Sequence, residues 1–291
     1  MRLVLAIVFV VVFVAGFALV AEAQEDRGWN FSGTFNGSSN SDGTVMKAAP
    51  ALGYTFNNHF QTYAGVPFYF VNRSSTTTPT TPPPAPTTST PGGFVNGIGN
   101  AFLGARLSVN GDSVNYSSTL ELTAPTGDKT QGFSTGRATA DWTNRFSHRF
   151  DSLTPFGSVG FANTISDTAF FVRPFTSLGL VSHFEGGATY DLARAVRVGG
   201  SAYAIGAVGD QTIISKFVKR QATATGTQNP NRVFDTVGET RVPASVANDH
   251  GVSTWFGVSP SPEVDFQIGY SRSMHYDFNT LFFGVGFRVG K

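Results

Sequence analysis

Five histidines are spread along the 291 residues: His59, His148, His183, His250 and His275. Two stand near an acid, His250 after Asp249 and His275 before Asp277. With Ser253 or Ser271 they supply the residue types of a hydrolase triad, in which a base takes the hydroxyl proton and a carboxylate orients the base. The segment Pro125-Thr126-Gly127-Asp128-Lys129-Thr130 offers a glycine and a Lys-Thr pair, the ingredients of a phosphate loop. That motif needs Gly-Lys-Ser/Thr with a second glycine separated from it by four residues, and here Asp128 parts Gly127 from Lys129. No helix follows whose N-terminus would hold a phosphate. Cysteine is absent, which excludes disulfides, thiolate metal sites, cysteine nucleophiles and anchoring through a lipidated cysteine. His183 and Glu185 share one strand face, but two ligands are too few for a metal. No cofactor and no catalytic residue is expected.

Other ionisable residues fall into a pattern. Arg106, Glu121, Arg137 and Asp141 occupy the polar faces of three consecutive strand-like segments, 95–109, 114–124 and 137–146. His183 and Glu185 do the same further on. If the three segments are neighbours, opposite charges meet across the ladder. The four residues then read as an internal salt-bridge wall or as a selectivity surface for a polar solute.

The elements that carry these residues alternate with a period of two. Trp29, Phe31, Gly33 and Phe35 alternate with Asn30, Ser32, Thr34 and Asn36, and Leu281, Phe283, Val285, Phe287 and Val289 share one face near the other end. Period-two alternation puts apolar side chains on one face of a strand and polar ones on the other. Twelve segments follow this rule: 28–37, 45–56, 60–71, 95–109, 114–124, 137–146, 153–163, 175–190, 196–208, 251–259, 264–272 and 280–290. Tight turns at 57–59, 110–113, 147–152, 191–195 and 260–263 alternate with long polar connections. Short turns on one side and long loops on the other mark a transmembrane β-barrel, periplasmic below and extracellular above. Most segments are near the 9–11 residues with which a tilted strand crosses the hydrocarbon layer.

Composition agrees with this reading. Charged residues make up 13% of the chain, with 28 Phe and 33 Gly; a soluble domain carries about 25% charge. A soluble β-sandwich or barrel also has alternating strands, but its outer face is charged, whereas the polar faces here are mostly Ser, Thr, Asn and Gly. The net charge of +1 gives no basic excess for nucleic acid. Residues 1–23 read as a cleaved signal peptide: Arg2, an apolar run from Leu3 to Val20, then Ala21-Glu22-Ala23, with Gln24 as the new start. Residues 24–291 are then one outer-membrane β-barrel domain. Within it, 72–94 is a Thr/Pro-rich loop in which Thr76 to Thr90 is not expected to pair as a strand. The longest loop, 209–250, is either a plug or a hairpin extension.

One stretch carries a family resemblance. Leu122 to Asp128, then Gly132-Phe133-Ser134-Thr135-Gly136, then Asp141-Trp142 resembles the phenol-degradation meta-pathway (MetA-like) outer-membrane channel family. The resemblance implies a barrel in the outer membrane of a Gram-negative bacterium that passes small hydrophobic or aromatic molecules. The expected partners are the lipid bilayer, a small-molecule solute and the outer-membrane assembly machinery, which would read Phe287 in place of a terminal aromatic. The expected state is a monomer. Twelve strands enclose less than the 16–18 of open porins, so the channel is expected to be narrow or loop-gated. Two alternatives stay open: a non-conducting surface or structural barrel, and an outer-membrane lipase-like enzyme.

Overall fold

The computed structural model describes residues 27–40, 43–73, 76–78, 88–90, 94–111, 114–129, 133–165, 177–213, 240–275 and 277–290. The expected signal peptide lies outside the described residues, as do the prolines of the Thr/Pro run and residues 214–239 of the longest loop. The chain forms β1 (Gly28–Asn40), β2 (Gly43–Thr55), β3 (Phe60–Gly65), β4 (Phe68–Arg73), β5 (Thr76–Thr78) and β6 (Thr88–Thr90). Next come β7 (Phe94–Ile98), β8 (Phe102–Asn110), β9 (Asn115–Thr123), β10 (Thr139–Ser147) and β11 (Leu153–Ala162). Then follow β12 (Ser177–Ala193), β13 (Val196–Ile213), β14 (Thr240–Val242), β15 (Asp249–Ser261), β16 (Val264–Ser273) and β17 (Phe278–Val289).

Every pairing is antiparallel, and the sheet closes on itself. β1 pairs β2 from Gly28↔Thr55 to Asn40↔Gly43, and pairs β17 from Phe31↔Val289 to Ser39↔Leu281. Closure removes the first and last edges, which an open sheet would leave exposed. The fourteen strands of the closed path make twelve staves, because β3 with β4 and β7 with β8 are each one stave with an interruption. β3 and β4 meet β2 in a single register, Ala51↔Gly65 and Ala48↔Phe68. Pro67 sits in the gap without an N–H to give. Its carbonyl still accepts from Gly99 N–H, 2.8 Å away, where the neighbouring stave is also interrupted. The architecture is the all-β, twelve-stave antiparallel barrel read from the alternation.

The two faces of the wall differ as the sequence pattern requires. Leu281 is 65% exposed while its neighbour Phe282 is 3% exposed. Leu103, Leu120, Trp142, Phe161, Phe184, Phe256 and Ile268 are likewise exposed on the outside. A closed sheet with an apolar exterior and a polar interior is the inverse of a soluble barrel and is stable in lipid, where all backbone groups pair within the wall.

Three expectations need correction. Thr76–Thr78 pairs with Thr88–Thr90 as a small separate hairpin, so the threonine ends of the Thr/Pro run do form strands. Only its prolines lack a donor, and they are not in the paired segments. β13 runs to Ile213 rather than ending at 208, and Gln211–Ile213 pairs with Thr240–Val242, so part of the 209–250 connection is a hairpin extension. Arg137 lies two residues before β10 instead of on it, where its N–H and carbonyl both bond the Thr135 hydroxyl.

Candidate functional site in the barrel interior

Two carboxylates stand side by side on the inner wall. Glu121 of β9 is the ladder partner of Asp141 of β10. A longer side chain reaches each of them from two staves away. Tyr63 of β3 is opposite Gly104 of β8, which is in turn opposite Glu121. The tyrosine lies across that glycine and donates its hydroxyl to Glu121 Oε2 at 3.2 Å. On the other side His183 of β12 is opposite Gly160 of β11, lies across it, and places Nε2 3.4 Å from Asp141 Oδ1. Thr143 donates to the same Asp141 oxygen at 2.7 Å.

The glycines are what allow this. A Cβ on Gly104 would lie 2.0 Å from the Tyr63 ring, and one on Gly160 would lie 2.2 Å from the His183 ring. Neither ring could cross a stave that carried a side chain there. The sheet thus gathers two like charges, which repel when directly opposed, and flanks them with the Tyr63 hydroxyl on one side and the His183 ring on the other.

These carboxylates line a cavity of about 270 Å³. Its walls carry Lys47, a threonine group from β9 and β10 (Thr119, Thr123, Thr139, Thr143), the rings of Tyr69 and Phe102, and Asn100. Lys47 stands 5.8 Å from the centre of the Tyr69 ring.

Two apolar clusters lie toward the outer end of the interior. In one, Phe133 is fully buried and stacks on Tyr69 at 5.7 Å, with Val71 beside it. Phe133 belongs to the 125–136 connection and is buried there together with Ser134 and Thr135. The loop is pinned by Ala101 N–H to Thr126 Oγ1 at 2.7 Å and by Gly127 N–H to Asn100 Oδ1 at 3.2 Å. In the other cluster Ile165 and Ala247 pack on Ala162, Val181 and Ile205. Tyr69 and Ile165, one from each cluster, line the cavity beneath them.

The structure brings Glu121, Asp141 and His183 together. Arg106 is opposite Gln61 and Thr119 rather than Glu121. It faces inward nearer the short turns, within electrostatic reach of Arg145 and Arg288. The Arg145 guanidinium lies 4.1 Å above the Phe156 ring. Arg137 is exposed at the mouth, and Glu185 is opposite Ser158 and Tyr203, one inward position below His183. Arg106 and Arg145 thus lie toward the short turns, where Arg197 also pairs with Asp265. The carboxylates Glu121 and Asp141 lie nearer mid-wall.

Tyr63, Lys47, Tyr69 and Asn100 were not singled out from the sequence. Lys47 was legible, since it falls on the polar face of its strand. Asn100 follows Gly97-Ile98-Gly99, a glycine-rich break inside an expected strand, and that break is its signal. The hydrolase residues do not assemble. Ser253 bonds Ser271 at 3.0 Å on the inner face, whereas His250 is on the outer face of the same strand. Asp249 instead accepts from Tyr203 and Ser273. Among the described residues no group of three or more ligand-type side chains could hold a metal.

No family model matches the chain, and no curated protein matches it. Among solved structures, an outer membrane channel from Pseudomonas putida F1 superposes with a TM-score of 0.55 at 12% identity, covering 93% of this chain and 98% of that one. The chain therefore has the fold of an outer-membrane channel barrel. The NanC porin matches with a TM-score of 0.46 at 9% identity, over 88% of this chain and 98% of its own. The KdgM porin matches with 0.45 at 9% identity, over 89% and 99%. Likeness this low does not bear on fold or function.

Proposed function

We propose that this chain is an outer-membrane channel for small molecules, narrow and gated by inward-folded loops. The observation that carries the reading is a polar, charge-bearing cavity inside a closed twelve-stave barrel with an apolar exterior. Charges inside such a barrel face solute and water, not lipid. Arg106, Glu121, Arg137, Asp141, His183 and Glu185 line the solute path in this reading. The likeness to the Pseudomonas putida channel fold supports it.

The cargo proposed is a small molecule with an apolar or aromatic part. Support comes from the MetA-like resemblance of residues 122–142 and from Tyr69 and Phe102 in the cavity wall. No catalytic residue is assigned. Export through a signal peptide cleaved before Gln24, insertion by the assembly machinery through the β17 stave, and a monomeric state complete the proposal.

A non-conducting barrel is the second reading, and the two apolar clusters toward the outer end favour it. Reconstitution into a planar bilayer separates the two. Discrete conductance steps support the channel, and a membrane that stays sealed at high protein load supports the structural barrel.

A further inference from the structure

Three cations on the inner wall stand without an acid. Arg106 of β8, Arg145 of β10 and Arg288 of β17 share the inward parity of Gly104, Asp141 and Phe282, lie near the short turns, and are exposed. Among the described residues none of the three guanidiniums is within ion-pair distance of a carboxylate, whereas Arg149, Arg197 and Arg272 each pair with an aspartate. The ladder sets Arg106 opposite Thr119 and Thr119 opposite Thr143, so Arg145 stands two staves from Arg106 and one inward position nearer the turns. Two stave spacings are about 10 Å, a gap that two long side chains on one inner face can close. Arg288 is opposite Ser32, beside the 260–263 turn, where its backbone N–H donates to the Glu263 carbonyl. Arg106 is within electrostatic reach of both other arginines.

Little nearby offsets these charges. On the short-turn side of Glu121 and Asp141, with the aspartates paired to Arg149 and Arg197 set aside, the inward strand carboxylate among the described residues is Glu185, in the row of Arg145 through Ser158. Three guanidiniums therefore face one carboxylate. A cleft lined by one sign of charge inside a low-dielectric wall focuses the field and concentrates counter-ions, and lipid backs this wall. The planar guanidinium fork matches a carboxylate in particular.

An aromatic shelf adjoins the cations. The Arg145 guanidinium lies over the Phe156 ring, whose centre is 6.2 Å from that of Trp255. Trp255 lies across Gly199, where a Cβ would come 2.3 Å from the indole. Phe156 is buried and Trp255 half-buried, so the indole is the ring more open to the interior.

We infer that this stretch of the lumen is a binding station for a small aromatic carboxylate: Arg106, Arg145 and Arg288 take the carboxylate, and Trp255 takes the ring. The inference rests on the channel reading and names the solute class of its path.

The test uses benzoate as the probe, with benzamide lacking the charge and acetate lacking the ring. Binding is measured by calorimetry on the full-length barrel in uncharged detergent, which does not require conduction. Physiological ionic strength screens diffuse attraction and supplies chloride as a competitor. Benzoate is expected to bind about tenfold more tightly than either control, as charge-assisted bonds and ring contact allow. Arg106→Gln and Arg145→Gln should each weaken benzoate by about three- to tenfold and leave benzamide unchanged. Trp255→Ala should remove the preference over acetate and keep that over benzamide. Arg149→Gln made together with Asp191→Asn removes a paired charge at the turns and should change nothing. Heat-modifiable gel migration identifies variants that fold, and if none does, the three probes on the wild-type barrel still decide.

Equal affinity for benzoate and benzamide, or for benzoate and acetate, overturns the station. So does an equal loss of benzoate binding in the Arg149 and Asp191 double variant. A barrel that keeps the benzoate preference but carries no current would overturn the channel reading and leave the station standing.

Discussion

Replacing Gly104 by alanine tests the most specific contact of the inner wall. In an unobstructed strand, glycine to alanine gains roughly 0.5–1 kcal/mol, because the folded state gives up less backbone freedom. Here the new Cβ would meet Tyr63 Cζ at 2.0 Å and two further ring atoms at 2.5 Å, well inside contact distance. The ring must swing away, and its hydroxyl then leaves Glu121. A hydrogen bond to a charged group contributes about 1.5–3 kcal/mol. Water in the interior places this one toward the lower end. The bond loss outweighs the entropic gain, so Gly104→Ala should destabilise the barrel by about 0.5–1 kcal/mol. In a Tyr63→Ala background the ring is gone, and the same substitution should be neutral or stabilising. The two substitutions should therefore couple by about 1.5 kcal/mol, the bond that the displaced ring loses. Urea unfolding in phosphatidylcholine vesicles, followed by the fluorescence of Trp29, Trp142 and Trp255, reads each corner of the cycle. An equal effect of Gly104→Ala with and without the tyrosine ring would refute the crossing of β8 by Tyr63.

Ile268 and Gln267 are adjacent on β16 and face opposite ways, so Ile268→Lys should cost about 2–4 kcal/mol near the bilayer midplane while Gln267→Lys costs under about 1; equal unfolding midpoints would reverse the assigned faces. Deleting Thr76–Thr90 should leave heat-modifiable migration intact, because that hairpin pairs only with itself. Phe133→Ala should release the inward loop, with a loss of about 3–5 kcal/mol of packing at a fully buried ring. Barrel closure should survive, and single-channel conductance should rise. Unchanged conductance would show that this loop does not narrow the path.

The staves were legible because lipid outside and water inside impose period-two alternation on each of them. Phe31 and Phe35 on one face of β1, with Ser32 and Thr34 on the other, admit one reading. The interruptions were less visible. Pro67 and the Gly99–Ala101 stretch fall inside expected strands, and whether a proline ends a stave or interrupts it depends on its neighbours in the sheet. Glu121 and Asp141 were read onto the inner face from parity alone. Their partners were not, because register decides who meets whom. Opposite sign pointed to Arg106 and Arg137, whereas the ladder sets Glu121 against Asp141 and brings the Tyr63 and His183 rings to them over glycines. No local pattern predicts that a glycine on one stave makes room for a ring from the next. The inward fold of the 125–136 connection was also hidden, although Gly127 and Phe133 belong to the motif that carried the family resemblance. A loop shows its side chains in sequence but not which side of the wall it takes.

The central claim is that Glu121 and Asp141 stand in a conducting path, and the reversal potential of single channels under a potassium chloride gradient tests it most directly. Wild-type protein should conduct in discrete steps, and Glu121→Gln combined with Asp141→Asn should shift the reversal potential toward that of chloride without loss of conductance. Open channels with an unchanged reversal potential in that double variant would contradict the claim, as would a wild-type barrel that carries no current.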